Sequence, residues 1–436
     1  MIAEKAINTM KDKVRVLQRS LYRAAKAQKE RRFGVLYDKV YRKDVLQKAW
    51  QQVRSNRGAA GVDGRTIKDI EQAGVSEFIE GLSQELREKR YRPNRVKRVY
   101  IPKPGKAEKR PLGIPVVKDR VVQMAVKIVV EPIFEAGFEA CSYGFRPKRN
   151  AHQAHEAVAK YVNYGCVQVI DADIKGYFDN IPHERLMEVV SRRVSDVEVL
   201  RLIRWWLKAG ILEDGQTNYK DTGTPQGGVI SPLLANIYLN ELDREWTKRG
   251  YNSIRYEAHM VRYADDIVIL CRKDVERYYA EFKREIERLG LELSETKTRI
   301  VAATDGFEFL GMSFAYRQGR QGKKNCYKWA TSKAINRIKE KVRQAAGKRG
   351  YWDLEQAIQQ INPIIRGCGN YYRYSNSSEQ YEKVDRYVRW RLRWRHYVEH
   401  RKRLRGMRDF PKDLYAEQGL YRLRGTLRRY GLNAVR

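Results

Sequence analysis

The stretch RYADDIVIL, Arg262 to Leu270, sets two adjacent carboxylates, Asp265 and Asp266, inside an otherwise apolar run. A purely structural strand has no reason to carry that repulsion, which at about 4 Å costs roughly 1 kcal/mol in water and about 4 kcal/mol at a protein-surface dielectric. The stretch therefore reads as two short strands of a hairpin, with Ala264, Asp265 and Asp266 near a turn where Asp is sterically welcome and faces a cleft. A second acidic strand is VQVIDADI, ending near Gly176. Residues two apart on a strand share a face, so Asp171 and Asp173 project together while Ile170, Ala172 and Ile174 face the other side. A converging set of carboxylates needs a cation. Oxygen donors with no Cys or His nearby suit Mg2+, which keeps waters and phosphate oxygens as its other ligands. Two such ions, roughly 3.5–4 Å apart, would serve the attacking and leaving oxygens of a phosphoryl transfer.

The partner class follows from charge. With 88 Lys+Arg against 53 Asp+Glu the 436-residue chain carries +35, which fits a polyanion far better than a neutral small substrate. From Arg317 to Arg436 there are 31 basic and 10 acidic residues, so this segment alone carries +21 of that excess. It reads as a dedicated nucleic-acid-binding unit. At 42% hydrophobic and 11% aromatic residues, the chain can bury a large core of two to three structural units. The cysteines, Cys141, Cys166, Cys271, Cys326 and Cys368, are widely spaced and form no C-x-x-C pair, so a reducing cytoplasm is expected and neither a disulfide framework nor a zinc module is indicated. No signal peptide and no membrane-spanning run is expected.

Along the chain, residues 1 to about 55 hold apolar positions at helical spacing (Val14, Leu17, Leu21; Val45, Ala49, Val53), and the glycines of NRGAAGVDG break the pattern. VKRVYIPKP and RPLGIP predict a basic hairpin around Pro104-Gly105. Asn150 predicts the N-cap of a helix through AHQAHEAVAKYV, and Ser231-Pro232 predicts the cap and first turn of a helix ending at Gly250. LGLELSETKT and FEFLGMSF supply short strand-like pieces, and beyond Arg317 the pattern reads as helical to the end. The order is mixed α and β, then all α.

These segments carry a resemblance. DIKGYFDNIPH (173–183), TPQGGVISPLLANIYLNELD (224–243), YADD (263–266), LELSETKT (291–298) and FEFLGMSF (307–314) resemble, in order and spacing, the successive blocks of bacterial group II intron reverse transcriptases. NRGAAGVDG, IPKPGKAEKRPLGIP and CSYGFRPKRNAHQAH resemble the family's N-terminal and fingers blocks, and GNYYRYSNSSEQYEKVDRYVRWRLRW its maturase region. The resemblance covers roughly 45 to 405 and implies an α+β right-hand polymerase fold. It divides the chain into a basic helical extension at 1–55, fingers and palm at 56–316, a helical thumb or maturase (X) domain at 317–405, and a short basic tail at 406–436, a possible reduced DNA-binding region.

By the same resemblance Asp173, Asp265 and Asp266 are the catalytic, metal-binding aspartates for two Mg2+ ions, with the backbone carbonyl of Ile174 as a further ligand. Phe178 matches the aromatic that excludes a ribonucleotide 2′-hydroxyl; five residues past Asp173 it would face away in a straight strand, so the chain must bend at Gly176. Lys103 and Arg110 match the residues holding the incoming deoxynucleoside triphosphate, and Gln226 the glutamine near its sugar and base. In the C-terminal unit, Tyr381, Val384, Val388, Tyr387 and Trp394 keep helical spacing and read as core. Arg386, Arg389, Arg391, Arg393 and Arg395 would then line an outward, phosphate-binding face that Arg401, Lys402, Arg403 and Arg405 extend.

The implied activity is RNA-directed DNA polymerisation from a DNA primer on an RNA template, joined to binding of group II intron RNA for splicing and retrohoming into target DNA. The chain ends at Arg436 without the zinc-bearing H-N-H endonuclease motif of many relatives, so second-strand cleavage is not expected and priming would need an existing 3′ end. Two alternatives stand beside this reading. One is a bacterial reverse transcriptase outside an intron, serving defence, a retron or CRISPR spacer acquisition; the other is a maturase that only binds RNA, against which the three intact aspartates argue.

Overall fold

The computed structural model describes residues 2–102, 109–213, 216–218, 221–224, 227–253, 257–319, 322–347, 354–400, 415 and 418–428. The chain opens with helices α1 (Ile2–Ala27), α2 (Tyr37–Val40), α3 (Lys43–Ser55), α4 (Ile67–Ala73) and α5 (Val75–Arg87). Strands β1 (Val96–Pro102) and β2 (Lys109–Ile114) then form the expected antiparallel hairpin, whose residues Lys103 to Glu108 lie outside the described residues. Helices α6 (Val117–Glu135) and α7 (Ala151–Asn163) lead to β3 (Gln168–Asp173), followed by α8 (Tyr177–Asn180), α9 (His183–Ser191) and α10 (Val197–Lys208). Next come β4 (Ile211–Glu213), β5 (Gln216–Asn218), α11 (Ser231–Lys248), the hairpin β6 (Ala258–Tyr263) and β7 (Asp266–Cys271), and α12 (Val275–Arg288). The order closes with β8 (Arg299–Ala302), β9 (Phe307–Phe309), β10 (Met312–Gln318), β11 (Lys324–Ala330), α13 (Ser332–Ala345), α14 (Leu354–Tyr372) and α15 (Ser378–His400).

Helix starts follow the local chemistry. Asn150 caps α7 in a reciprocal capping box with Gln153, the Asn150 side chain accepting from the Gln153 amide at 3.0 Å and the Gln153 side chain from the Asn150 amide at 3.1 Å. Ser231 departs from its expected role: Ile230 is the cap and Ser231 the first helical residue, with Pro232 just behind it. Proline tolerates the first turn because the amide it lacks has no intrahelical partner there. LELSETKT forms no strand of its own and touches the sheet through an isolated bridge between Ile174 and Leu293. The all-helical part begins at Ser332 rather than Arg317, because Lys324–Ala330 pairs along the whole of β10. The face of β11 toward the core reads Lys324, Cys326, Lys328 and Ala330, so two basic residues hide the strand from periodicity, and Lys328 is buried on a Glu156 ion pair.

The sheet ordered β6-β7-β3-β8 holds the molecule together. Its two faces belong to different cores. Ile170, Ala172, Met260, Ile267 and Ile269 join the core built by α3, α6, α9, α10, α11 and α12. Val169, Val261, Val268 and Leu270 join a second core shared with α7, strands β9 and β10, and α13 to α15. A strand buried on both faces must be apolar there, as β7 is from Ile267 to Cys271 and β3 at Val169, Ile170 and Ala172, while the carboxylates Asp171, Asp173 and Asp266 fall where burial is incomplete. Helix α14 is tied to the β9–β10 turn and to α7: Tyr371 Oη donates to Leu310 O at 2.8 Å, Tyr372 Oη to Gly311 O at 3.3 Å, and the His152 ring meets Tyr371 O at 2.8 Å. Among the described residues no helix is long and apolar enough to cross a membrane.

Candidate active site

The central sheet turns acidic where the second core ends. In the β3–β7 ladder Val169 faces Leu270, Asp171 faces Val268, and Asp173 faces Asp266, all on one face. The two-residue step that buries Val169 and Leu270 thus delivers Asp173 and Asp266 side by side at the open end. Asp265 stands beside them in the turn between β6 and β7, whose strands close with Tyr263 paired to Asp266. Three of the carboxylates read from the sequence therefore meet, although Asp173 and Asp265 lie 92 residues apart. Asp171 is held differently. Its Oδ2 accepts from Arg299 Nε at 3.0 Å, so its charge is already matched within the sheet.

Electrostatics mark the same spot. Partial desolvation first, then the charges of Asp265, Asp173 and Asp171, push the Asp266 carboxyl up to about 6, while Arg110 pulls it down. Asp265 is raised too, by desolvation and the charge of Asp173, with Arg110 and Arg262 opposing. Repelling carboxylates of this kind gain from any cation placed among them. Lys297 plays that part for Asp173, its Nζ lying 2.8 Å from Asp173 Oδ2. Among the described residues no group of three His, Cys, Asp or Glu side chains is closed into a metal cage. Mg2+ asks for less, one or two carboxylates plus water and substrate phosphate, and the all-oxygen donors here fit it.

The turn itself is braced from behind, a feature the sequence reading passed over. Ala264 sits in the left-handed region at φ 58°, a conformation costly for a residue with a Cβ. Arg262 holds it there. Fully buried, Arg262 donates from Nη1 to the Ala264 carbonyl at 2.9 Å and to Asn236 Oδ1 at 3.0 Å, and from Nε to Asp243 Oδ1 at 2.8 Å, with a second bond from Nη2 to Asp243 Oδ2. Asn236 in turn donates to Gly144 O at 2.8 Å. Gly144 lies so close to the turn that a Cβ there would collide with the Ala264 backbone nitrogen. The available signal was an Arg near the end of an apolar strand and an Asp within a largely apolar helix, each needing a buried partner.

The remaining expectations separate. Gly176 is left-handed at φ 53° and ends β3 with the required bend, after which Phe178 lies half-buried on α8, its carbonyl accepting from the Thr224 amide at 2.7 Å. Ile174 is buried in the core. Arg110 is exposed on β2 and its charge reaches Asp265 and Asp266. Lys103, Gln226, Arg401, Lys402, Arg403 and Arg405 lie outside the described residues. On α15, Tyr381, Val384, Val388 and Leu392 pack inward, but Arg395 does so too at 3% exposure and is no part of an outward face. Helix geometry is the reason: Arg395 follows Val388 by seven residues and Leu392 by three, on the same stripe. The solvent face carries Arg386 together with Trp390 and Trp394, 45% and 37% exposed, so Trp394 is not core; Arg391 stacks over Trp394 at 4.6 Å, and Tyr387, Arg389 and Arg393 are half-buried.

An antiparallel sheet that gathers three aspartates at one end, fed by a basic hairpin, defines a reverse transcriptase domain, and the family model for reverse transcriptase (RNA-dependent DNA polymerase) matches residues 101–314. A second model, the group II intron maturase-specific domain, matches residues 335–410. Group II intron-encoded protein LtrA of Lactococcus lactis subsp. cremoris is 34% identical over 347 residues, covering 66% of this chain and 57% of that protein. Protein YkfC of Escherichia coli strain K12 is 35% identical over 343 residues, 70% of this chain and 89% of YkfC. An uncharacterized 91 kDa protein in the cob intron of Schizosaccharomyces pombe is 29% identical over 416 residues, 77% of this chain and 50% of that protein. The chain belongs to the family of group II intron reverse transcriptases and maturases.

Proposed function

We propose that the protein extends a DNA primer on an RNA template and, through its C-terminal helices, binds group II intron RNA to promote its splicing and retrohoming. The observation carrying the polymerase half is the register that sets Asp173 opposite Asp266 beside Asp265. In this reading 56–316 act as fingers and palm and 317–405 as thumb and maturase domain, with 1–55 a basic extension and 406–436 a basic tail toward target DNA.

Asp173, Asp265 and Asp266, with the Ile174 carbonyl, would hold two Mg2+ ions. When bound these supply charge stabilisation for the attacking 3′-hydroxyl oxygen and the departing pyrophosphate oxygen. The chain's own residues do the rest. Arg262 and Asn236 keep the turn fixed so that the carboxylates need no rearrangement at the moment of reaction. Lys297 covers the charge of Asp173, a place that a bound cation would take over. Arg110, with Lys103, binds the triphosphate oxygens; Phe178, held by the bend at Gly176, lies against the nucleotide sugar, and Gln226 meets its sugar and base. Arg386, Arg389, Arg391 and Arg393 hold RNA phosphates, so that binding weakens steeply with salt, and Arg401, Lys402 and Arg403 extend this surface.

Two assays test the reading. On a primed RNA template the protein makes cDNA, and Asp265→Ala abolishes synthesis while RNA binding persists; synthesis retained by the variant overturns the assignment. Splicing of the intron flanking the gene at low Mg2+ depends on the protein, and independence would favour a reverse transcriptase acting outside an intron.

A further inference from the structure

Beside the candidate site a phenylalanine is held out into solvent. Phe145 is 53% exposed, and its backbone is left-handed at φ 53°. Both properties are unfavourable: the exposure forgoes burial of a large ring, and the backbone conformation strains a residue with a Cβ. Such a residue persists only when its surroundings over-determine it. They do so on both sides. Gly144 is wedged against the catalytic turn and its carbonyl is bonded by Asn236. Arg146 is buried, donating to Glu135 at 2.8 and 3.0 Å, to Glu139 O at 2.6 Å and to Ser142 O at 2.8 Å. The clamp fixes the Phe145 ring 6.4 Å from the ring of Tyr263, next door to Asp265 and Asp266.

Its side of the sheet decides what it meets. The segment carrying Phe145 runs along the free edge of β6: the Tyr143 amide donates to Arg262 O at 2.8 Å, and the Arg262 amide to Cys141 O at 2.9 Å. In the strand order β6-β7-β3-β8, Phe145 lies beyond the edge strand β6, whereas Phe178 lies on α8, which follows the end of the interior strand β3. The two aromatics thus reach the aspartates from different strands, Phe145 from the edge of β6 and Phe178 from the end of β3. Lys148, exposed three residues on, supplies positive charge on the Phe145 side.

We propose that Phe145, with Tyr263, is a stacking seat for the nucleoside at the primer 3′ end, opposite the place of the incoming nucleotide. The inference rests on the polymerase reading above. It is tested with Phe145→Gly and Phe145→Trp, a primed RNA–DNA duplex and deoxynucleoside triphosphates. Glycine accepts φ 53° without strain, so the unfolding midpoint of Phe145→Gly is expected to be no lower than that of the wild type. Without its ring the variant binds the duplex about tenfold more weakly, in the range of one lost base–aromatic stack, while KM for the nucleotide is unchanged. Phe145→Trp restores duplex binding. Wild-type duplex affinity in Phe145→Gly overturns the proposal. So does a defect confined to the nucleotide KM, which would put the ring against the incoming nucleotide, and so does a lowered unfolding midpoint that Trp fails to rescue, which would make it packing. A wild-type protein that makes no cDNA refutes the polymerase reading instead, and the duplex-affinity comparison still reports on Phe145.

Discussion

Replacing Arg262 by methionine removes the one cation from a site that no solvent reaches. Arg262 and Asp243 have fully buried side chains, and the guanidinium also serves the Ala264 carbonyl and Asn236. Removing one partner of a buried ion pair leaves an uncompensated charge, at about 3–5 kcal/mol. The carbonyl and the amide that lose their donor would cost about 1 kcal/mol each if counted separately, but part of this is already within the first figure. About 4 kcal/mol is expected for Arg262→Met. Against a typical reserve of about 5–15 kcal/mol, the variant folds but sits near its limit. Urea unfolding at neutral pH reads the change as a lower midpoint at unchanged slope. The double variant Arg262→Met/Asp243→Leu removes the stranded carboxylate and should unfold at higher urea than Arg262→Met alone. A loss below about 1 kcal/mol for the single variant, or a double variant weaker than the single, would refute the view that the buried charge dominates.

Other expectations concern separate parts of the molecule. Ala264→Gly, at φ 58°, relieves backbone strain and raises the unfolding midpoint while lowering kcat for cDNA synthesis, because the turn gains freedom; an unchanged midpoint and kcat would show that the strain is not stored there. Gly144→Ala drives a Cβ into the Ala264 backbone and costs about 1–3 kcal/mol, with loss of synthesis but not of RNA binding, measured by primer extension and filter binding side by side. Burial holds the His155 imidazole down at about 3, against 6.5 in the unfolded chain. The unfolded state therefore takes up the proton first, and stability falls as pH drops below about 6.5, by about 2 kcal/mol at pH 5. In His155→Leu that part of the difference between pH 7 and pH 5 disappears, and an unchanged pH dependence would exclude His155 as its source. On α15, each of Arg386→Gln and Arg389→Gln should lower the salt slope of RNA binding by about 1 if each contacts a phosphate.

How much was legible depended on whether the signal was local. VQVIDADI and RYADDIVIL placed both acidic strands and the turn of the second, because carboxylates breaking an apolar run leave their mark on the residues themselves. Gly176 announced the bend before Phe178 for the same reason. Strand β11 escaped, since its buried Lys328 is paired with Glu156, distant in sequence, and Arg395 was mistaken for surface because charge outweighed its helical phase. For the brace of Arg262, Asp243 and Asn236 the local signal was a charge in an apolar run without the identity of its partner, and the exposed, strained Phe145 left no local pattern at all.

The sequence by itself determined the chemistry: which strands carry carboxylates, on which face, and that a basic helical unit follows them. Tertiary structure alone decided how that chemistry is held. Only the pairing of β3 with β7 could bring Asp173 to Asp266, only the burial of Arg262 could turn a surface-type cation into a strut, and only the clamp around Gly144 and Arg146 could hold a phenylalanine out in water. Periodicity reports which way a side chain points relative to its neighbours in the chain, whereas desolvation and repulsion depend on what the rest of the fold places around it.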